Sequence, residues 1–191
     1  MGAYDEAERL EPTTVEEWSA WLAAHHADRS GVWLVSARAA ARRAVDYDTA
    51  VVEALRYGWV DSVQKVLDEE RSMQWFAPRR ARSGWARSNK LRIERLEREG
   101  RLEPAGRTAV EVARANGAWS LFDEVDNLTV PDDLAAAFAA HPGSRENWDG
   151  FPPSARRGLL AWIVMARRPA TREKRVRETA ERAARGERAN T

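Results

Sequence analysis

From Ser88 to the end of this chain only the period of an α-helix is present, whereas before Pro78 helical and β-like runs are mixed. That change of period constrains the fold more than any other feature. Strands are confined to the first part, and the second part can bury its apolar faces only helix on helix. Two β-like runs, 59–67 and 71–77, flank Asp68-Glu69-Glu70 and predict an antiparallel hairpin with a polar tip. Residues 32–35, Val-Trp-Leu-Val, follow a turn ending at Gly31 and predict a further strand. Residues 37–45 stay open between an extension of that strand and a partial helix.

Helix signals are clear elsewhere. Thr14-Val15-Glu16-Glu17 is a capping box, in which the Thr14 hydroxyl accepts from an amide three residues on while Glu17 reaches back. A helix is expected over 15–26, with Trp18, Trp21, Leu22 and His25 at helical spacing. A second is expected over 48–57, stopped by Gly58. Later helices are expected over 88–99 and 104–116 and from Val130, Phe151 and Pro169, and the last six residues should fray. The expected class is α+β: a small antiparallel sheet of about three strands packed with helices, followed by a C-terminal helical bundle. Residues 1–86 form the α/β part with the hairpin and residues 87–191 the helical part, expected to make one compact unit.

Several function classes drop out. The chain has no cysteine, which removes a disulfide framework, a zinc–thiolate site and a cysteine nucleophile. The start Met1-Gly-Ala-Tyr-Asp-Glu6 lacks the basic and apolar regions of a secretory leader, and no apolar run reaches the length of a membrane span. A cytoplasmic protein without membrane contact is expected. His25, His26 and His141 have no metal-ligand spacing, and neither a glycine-rich phosphate loop nor a G-x-S-x-G elbow is present. No catalytic residue, no metal and no cofactor are therefore assigned.

What remains is an excess of tryptophan and an uneven charge. Nine tryptophans are many for 191 residues. Trp18, Trp21 and Trp162 fit helix faces turned to a core, and Trp119 and Trp148 sit beside turns. Trp59, Trp75 and Trp85 lie among polar residues that a core does not require. The start of the chain is acidic, with Asp5, Glu6, Glu8, Glu11, Glu16 and Glu17, while 79–107 carries ten basic residues against four glutamates. Its densest stretch runs Pro78-Arg-Arg-Ala-Arg-Ser-Gly-Trp85 into Asn89, after a strand and before a helix start. Guanidinium groups beside helix-terminal amides favour anions, and a tryptophan face can stack on a flat ligand. The plainer alternative is a basic loop packed by its tryptophan and paired to the acidic start. Gly58-Trp59-Val60-Asp61-Ser62 is a second patch, where an aspartate stands in a strand against its propensity. Asp61 is either functional or a structural acid paired with Arg79 or Arg80.

These stretches, in order with Gly31-Val-Trp-Leu-Val35, Ala54-Leu-Arg-Tyr57, Gly100-Arg-Leu-Glu-Pro-Ala-Gly106 and Ala115-Asn-Gly-Ala-Trp119, resemble the YdeI/OmpD-associated, or bacteriocin-protection, family. Val130-Pro-Asp-Asp-Leu134, Pro153-Ser-Ala-Arg-Arg157 and Ala166-Arg-Arg-Pro-Ala-Thr-Arg172 continue the resemblance. Ala86, Leu102, Arg38 and Arg167 depart from the residues usual in that family at their positions. The resemblance implies a protein associated with bacteriocin or stress protection and carries over no reaction. The candidate ligand-binding residues are Trp59, Asp61, Ser62, Arg79, Ser83, Trp85 and Asn89, with an anionic small molecule or a peptide as the expected partner. Two other readings stand beside this one. One is nucleic-acid binding through the basic stretch from Arg79 to Arg107, disfavoured by its interleaved glutamates. The other is an enzyme using Asp61 as base and Arg79 as anion clamp.

Overall fold

The computed structural model describes Tyr4 and residues 7–190. Asp5 and Glu6 of the acidic start lie outside the described residues. The chain divides into two compact units, 1–119 and 120–191.

The first unit is built on a sheet in the order β1–β2–β4–β3, formed by β1 (Arg9–Leu10), β2 (Val32–Ala37), β3 (Trp59–Val66) and β4 (Arg71–Pro78). The sheet has four strands and is mixed, where about three antiparallel strands are expected from the sequence, because β1 pairs parallel to β2. A two-residue strand has no periodicity to betray it. It exists because Leu10 pairs with Leu34 and the Trp33 amide donates to Glu8 O at 2.9 Å. The β3–β4 hairpin is present, closed by Asp68, whose Oδ1 accepts from the amides of Glu70 (3.0 Å) and Arg71 (2.7 Å). The open stretch after β2 resolves into a 3-10 turn, Ala40–Arg42. Arg43 fastens it by donating from Nε to Ala37 O (2.9 Å) and from Nη2 to Arg38 O (3.1 Å).

Helices cover one face of this sheet. Helix α1 (Val15–His25) starts at Thr14, whose hydroxyl accepts from Glu17 N at 3.2 Å. Glu17 does reach back, to the amide and hydroxyl of Thr13 at 2.7 and 2.9 Å, and these bonds hold its carboxyl below the usual range. Helix α2 (Tyr47–Arg56) is capped by Asp46, and α3 (Arg87–Arg98) and α4 (Pro104–Ala115) follow. The main core gathers Trp18, Leu22, Val32, Leu34, Leu55, Trp59, Phe76, Trp85, Ile93, Leu96 and Val110. The composition shift near 78–89 thus lies inside the first unit, whose core draws on α3 and α4. On the sheet's other face Trp33, Val35, Met73 and Trp75 pack together under the Tyr4 ring, 5.0 Å from that of Trp75.

Among the described residues of this unit, one carboxylate is buried. Glu53, 3% exposed, is held by Arg56, by Arg101 Nη2 at 2.6 Å and by Ser19 Oγ at 2.9 Å. Arg56 also reaches Glu103 at 3.0 Å, so α2 is tied to the entry of α4. There the chains touch closely: a Cβ on Gly106 would come 2.3 Å from Arg56 O.

The second unit is helical: α5 (Asp123–Asp126), α6 (Asp132–Ala140), α7 (Ser144–Gly150), α8 (Pro153–Val164) and α9 (Pro169–Ala184). Helix α9 packs on α6, α7 and α8. Leu134, Phe138, Trp148, Leu159, Leu160, Ile163, Val176 and Ala180 fill the core. The short helices α5 and α7 carry too few turns to show a period. Helix α7 is positioned by Trp148, 1% exposed, and by Ser144 Oγ, which donates to Phe138 O at 3.1 Å. The tail does not simply fray, since Ala189 is buried in this core. No described helix is long and apolar enough to cross a membrane.

Candidate functional site

The site lies where the hairpin returns to its own beginning. Gly58 ends α2 with φ +74°, and its carbonyl accepts from Arg79 N at 2.9 Å. A Cβ at Gly58 would stand 3.0 Å from both Ala105 O and Ala109 Cβ, so the position requires glycine on two counts. Trp59 follows, fully buried. Its indole Nε1 donates to His26 O at 3.1 Å and fixes the end of α1, and its ring meets Trp21 edge-on at 5.7 Å. The loop after β4 is anchored from both sides. Asn116 Nδ2 donates to Ala81 O at 2.8 Å, and Trp85 N to Ala118 O at 3.2 Å. Trp85 is buried at 1% exposure, a correction to its exposed look in the sequence, because its ring packs against Trp119 at 5.0 Å inside the main core.

Between these pieces runs a cleft of about 400 Å³, within the usual range for small-molecule sites. His26, Tyr57, Trp59, Arg79, Trp85 and Val112 are among its walls, with the small residues Ala105, Thr108 and Ala109 of α4 along one side. The Arg79 guanidinium lies 3.9 Å above the Trp85 ring centroid. Its Nη2 donates to the carbonyls of Gly84 and Ser83, whereas Nε and Nη1 are buried and have no hydrogen-bond partner. Burial pulls this guanidinium down to about 10, against a smaller upward pull from Asp61. It therefore stays a cation at neutral pH. A buried N–H left unpaired costs about 1–3 kcal/mol, and a desolvated cation–π contact returns about 2 kcal/mol. The stacking offsets part of the cost and leaves a cation able to accept a counter-charge.

The seven candidate residues separate into groups. Trp59, Arg79 and Trp85 line the cleft. Ser83 contributes a carbonyl to Arg79 at 3.5 Å. Asp61 faces α2, where it accepts from the Tyr47 hydroxyl at 2.7 Å rather than from Arg79 or Arg80. Ser62 is exposed in an irregular stretch of β3 between Asp61 and Gln64. Asn89 accepts from Arg92 Nη1 at 2.7 Å, and Arg92 in turn grips Asp48 at 2.6 Å. Sequence reading passed over Tyr57, Ala105, Thr108, Ala109 and Val112. Their signal is a small-residue stripe at helical spacing on α4, opposite a glycine at a helix end. Among the described residues the acidic start does not pair with the basic loop: Glu8 meets Arg29 at 3.8 Å and Glu11 meets Arg71 at 2.9 Å. No group of three or more potential metal ligands occurs among the described residues.

Fold and site together define a class: an α+β unit with an arginine-on-tryptophan cleft, continued in sequence by a helical unit. Residues 10–109 match the family model described as a domain of unknown function (DUF8412). Those residues make up more than half of the chain, and the chain belongs to that family. Residues 127–186 match the bacteriocin-protection, YdeI or OmpD-associated family, the one suspected from the sequence. That match takes in the motifs from Val130 onward, while those from Gly31 to Gly106 fall in the domain of unknown function. No curated protein and no solved structure matches the chain.

Proposed function

We propose that this protein is a cytoplasmic, non-catalytic binding module that takes an anion with an apolar body, such as a peptide carboxylate, into the cleft at Arg79. A role in bacteriocin or stress protection is drawn from the family description of residues 127–186. The observation that carries the reading is the buried Arg79 guanidinium, stacked on Trp85 with two nitrogens unpaired beside a cleft walled mainly by aromatic and small residues. A carboxylate would neutralise the cation through a charge-assisted bond. An apolar side chain would lie against Trp59, Tyr57 and Val112.

Two competing readings find less support. The arginines of α3 and its surroundings pair with acids, Arg92 with Asp48, Arg95 with Glu99, Arg101 with Glu53 and Arg114 with Glu97, as on a solvated protein face. Asp61 is engaged by Tyr47 and is not part of the cleft wall, so it is badly placed as a base for a ligand held by Arg79. Titration with N-acetylphenylalanine, followed by tryptophan fluorescence, tests the proposal. Saturable quenching in the parent and none in a folded Arg79→Met variant is expected. Equal quenching in both would sink it. Trp85→Ala is the wrong variant, since it empties the core.

A further inference from the structure

We propose that the far end of the sheet's helix-covered face is a second binding site, for a small hydroxylated molecule carrying one anionic group. The register defines that face. Val32, Leu34 and Ser36 of β2 stand opposite Phe76, Gln74 and Ser72 of β4. Trp59 and Asp61 of β3 continue it, with Asp61 opposite Phe76, Gln64 opposite Gln74 and Val66 opposite Ser72. One end of the face is apolar and belongs to the core. The other end holds the polar Ser36, Ser72 and Gln74, flanked by the exposed Gln64 and Val66 of β3.

A register shift in β3 produces this. Two residues lie between Asp61 and Gln64 but only one between their partners Phe76 and Gln74, the signature of a β-bulge. A regular strand would have turned Val63 and Lys65 inward. The bulge instead leaves Val63 41% exposed and sends Lys65 to the opposite face, with its Nζ 5.3 Å from the Trp33 ring. Gln64 takes the place facing Gln74 and stays exposed to solvent. The shift thus sets Gln64 and Val66 on this face in place of Val63 and Lys65.

The polar end is open to a ligand. A recess of about 40 Å³ between Ser36, Gln64, Ser72, Gln74 and Tyr47 shares Arg43, Gln64 and Ser72 with a wider mouth of about 270 Å³, at which Arg38 also stands. The side chains of Ser36, Gln64, Ser72 and Gln74 make no hydrogen bond among the described residues. Each can donate and accept, which suits hydroxyl groups. Arg43 is held by its bonds to the carbonyls of Ala37 and Arg38, and its Nη1 has no acceptor among the described residues. Arg38 Nη1 is steadied by Glu69 O at 3.1 Å. No carboxylate lines recess or mouth. The nearby acids are committed, Asp61 to Tyr47 and Glu70 to Arg42 at 3.5 Å. Two guanidinium groups at the mouth fit an oxyanion, and the water-sized recess behind it has room for a single hydroxyl.

The test is NMR of the side-chain amides of Gln64 and Gln74 during titration with ribose 5-phosphate, ribose and inorganic phosphate as probes. Ribose 5-phosphate should shift both amide pairs and saturate, more tightly than either part alone. Half-saturation should weaken about tenfold or more in Arg43→Gln and in Gln64→Leu, and Arg79→Met should leave it unchanged. Arg43 also fastens its loop, so Gln64→Leu, on a solvent-facing strand, decides if Arg43→Gln misfolds. Absence of shifts, a response to phosphate as tight as to the sugar phosphate, or indifference to Gln64→Leu would overturn the proposal.

Discussion

Arg79 sets two demands against each other. Its charge is buried without an acid partner, so the fold gains little from it, while the cleft gains a cation. Replacing a poorly paired buried ion with an apolar side chain of similar length is commonly neutral or stabilising. Arg79→Met should therefore unfold at a temperature equal to or above that of the parent in calorimetry, although it loses the contacts to the Ser83 and Gly84 carbonyls. A marked drop would mean that the arginine is there for the fold. Tyr47 gives a pH signature. Loss of solvent and the Asp61 carboxylate raise its hydroxyl from 10 to about 12. The neutral form is favoured in the folded state, so this contribution is complete below pH 10 and is lost as pH rises through about 12. Spectrophotometric titration should show one late tyrosine that disappears in Tyr47→Phe, and the parent should lose its advantage over that variant above pH 10.

At the scale of elements, the sequence was most informative where a period runs long enough to count. The hairpin, β2 and the helices from α1 to α4 lie within one or two residues of expectation, and Pro104, Pro153 and Pro169 stand at helix starts as their fixed φ requires. Strand β1 and helices α5 and α7 were invisible because tertiary partners hold them, not their own pattern. The site was legible only in part. Trp59, Arg79 and Trp85 could be picked out as aromatic and basic residues in odd company, but burial of Trp85 by Trp119 depends on a contact 34 positions away in the chain. Asp61 and Asn89 looked like members of the same site because a linear reading cannot see Tyr47 and Arg92 engaging them. The α2–β3 junction forms one wall of the cleft. Gly58→Ala forces a left-handed φ on a Cβ that would press on α4. It should cost about 1–3 kcal/mol in denaturant unfolding and widen the cleft enough to weaken N-acetylphenylalanine binding. Unchanged stability would show that the close approach is not required.

For the whole molecule, each compact unit carries its own core and its own family match, 10–109 within the first and 127–186 within the second. All residues lining the Arg79 cleft belong to the first. Leu160→Ala, deep in the second core, should destabilise by about 2–5 kcal/mol and leave affinity at the cleft as it was in the folded protein. A parallel loss of affinity would show that the cleft depends on the second unit.

The reading turns on the half-buried Arg79 guanidinium, two of whose nitrogens lack partners, making the cleft a receptor for anions. It is tested most directly by calorimetric titration of the parent with N-acetylphenylalanine and with N-acetylphenylalanine amide, which share shape and apolar surface and differ in charge. The acid should bind about tenfold or more tightly than the amide, and the difference should vanish in Arg79→Met. Equal affinity for the two ligands, or a charge preference that survives in the variant, would contradict it.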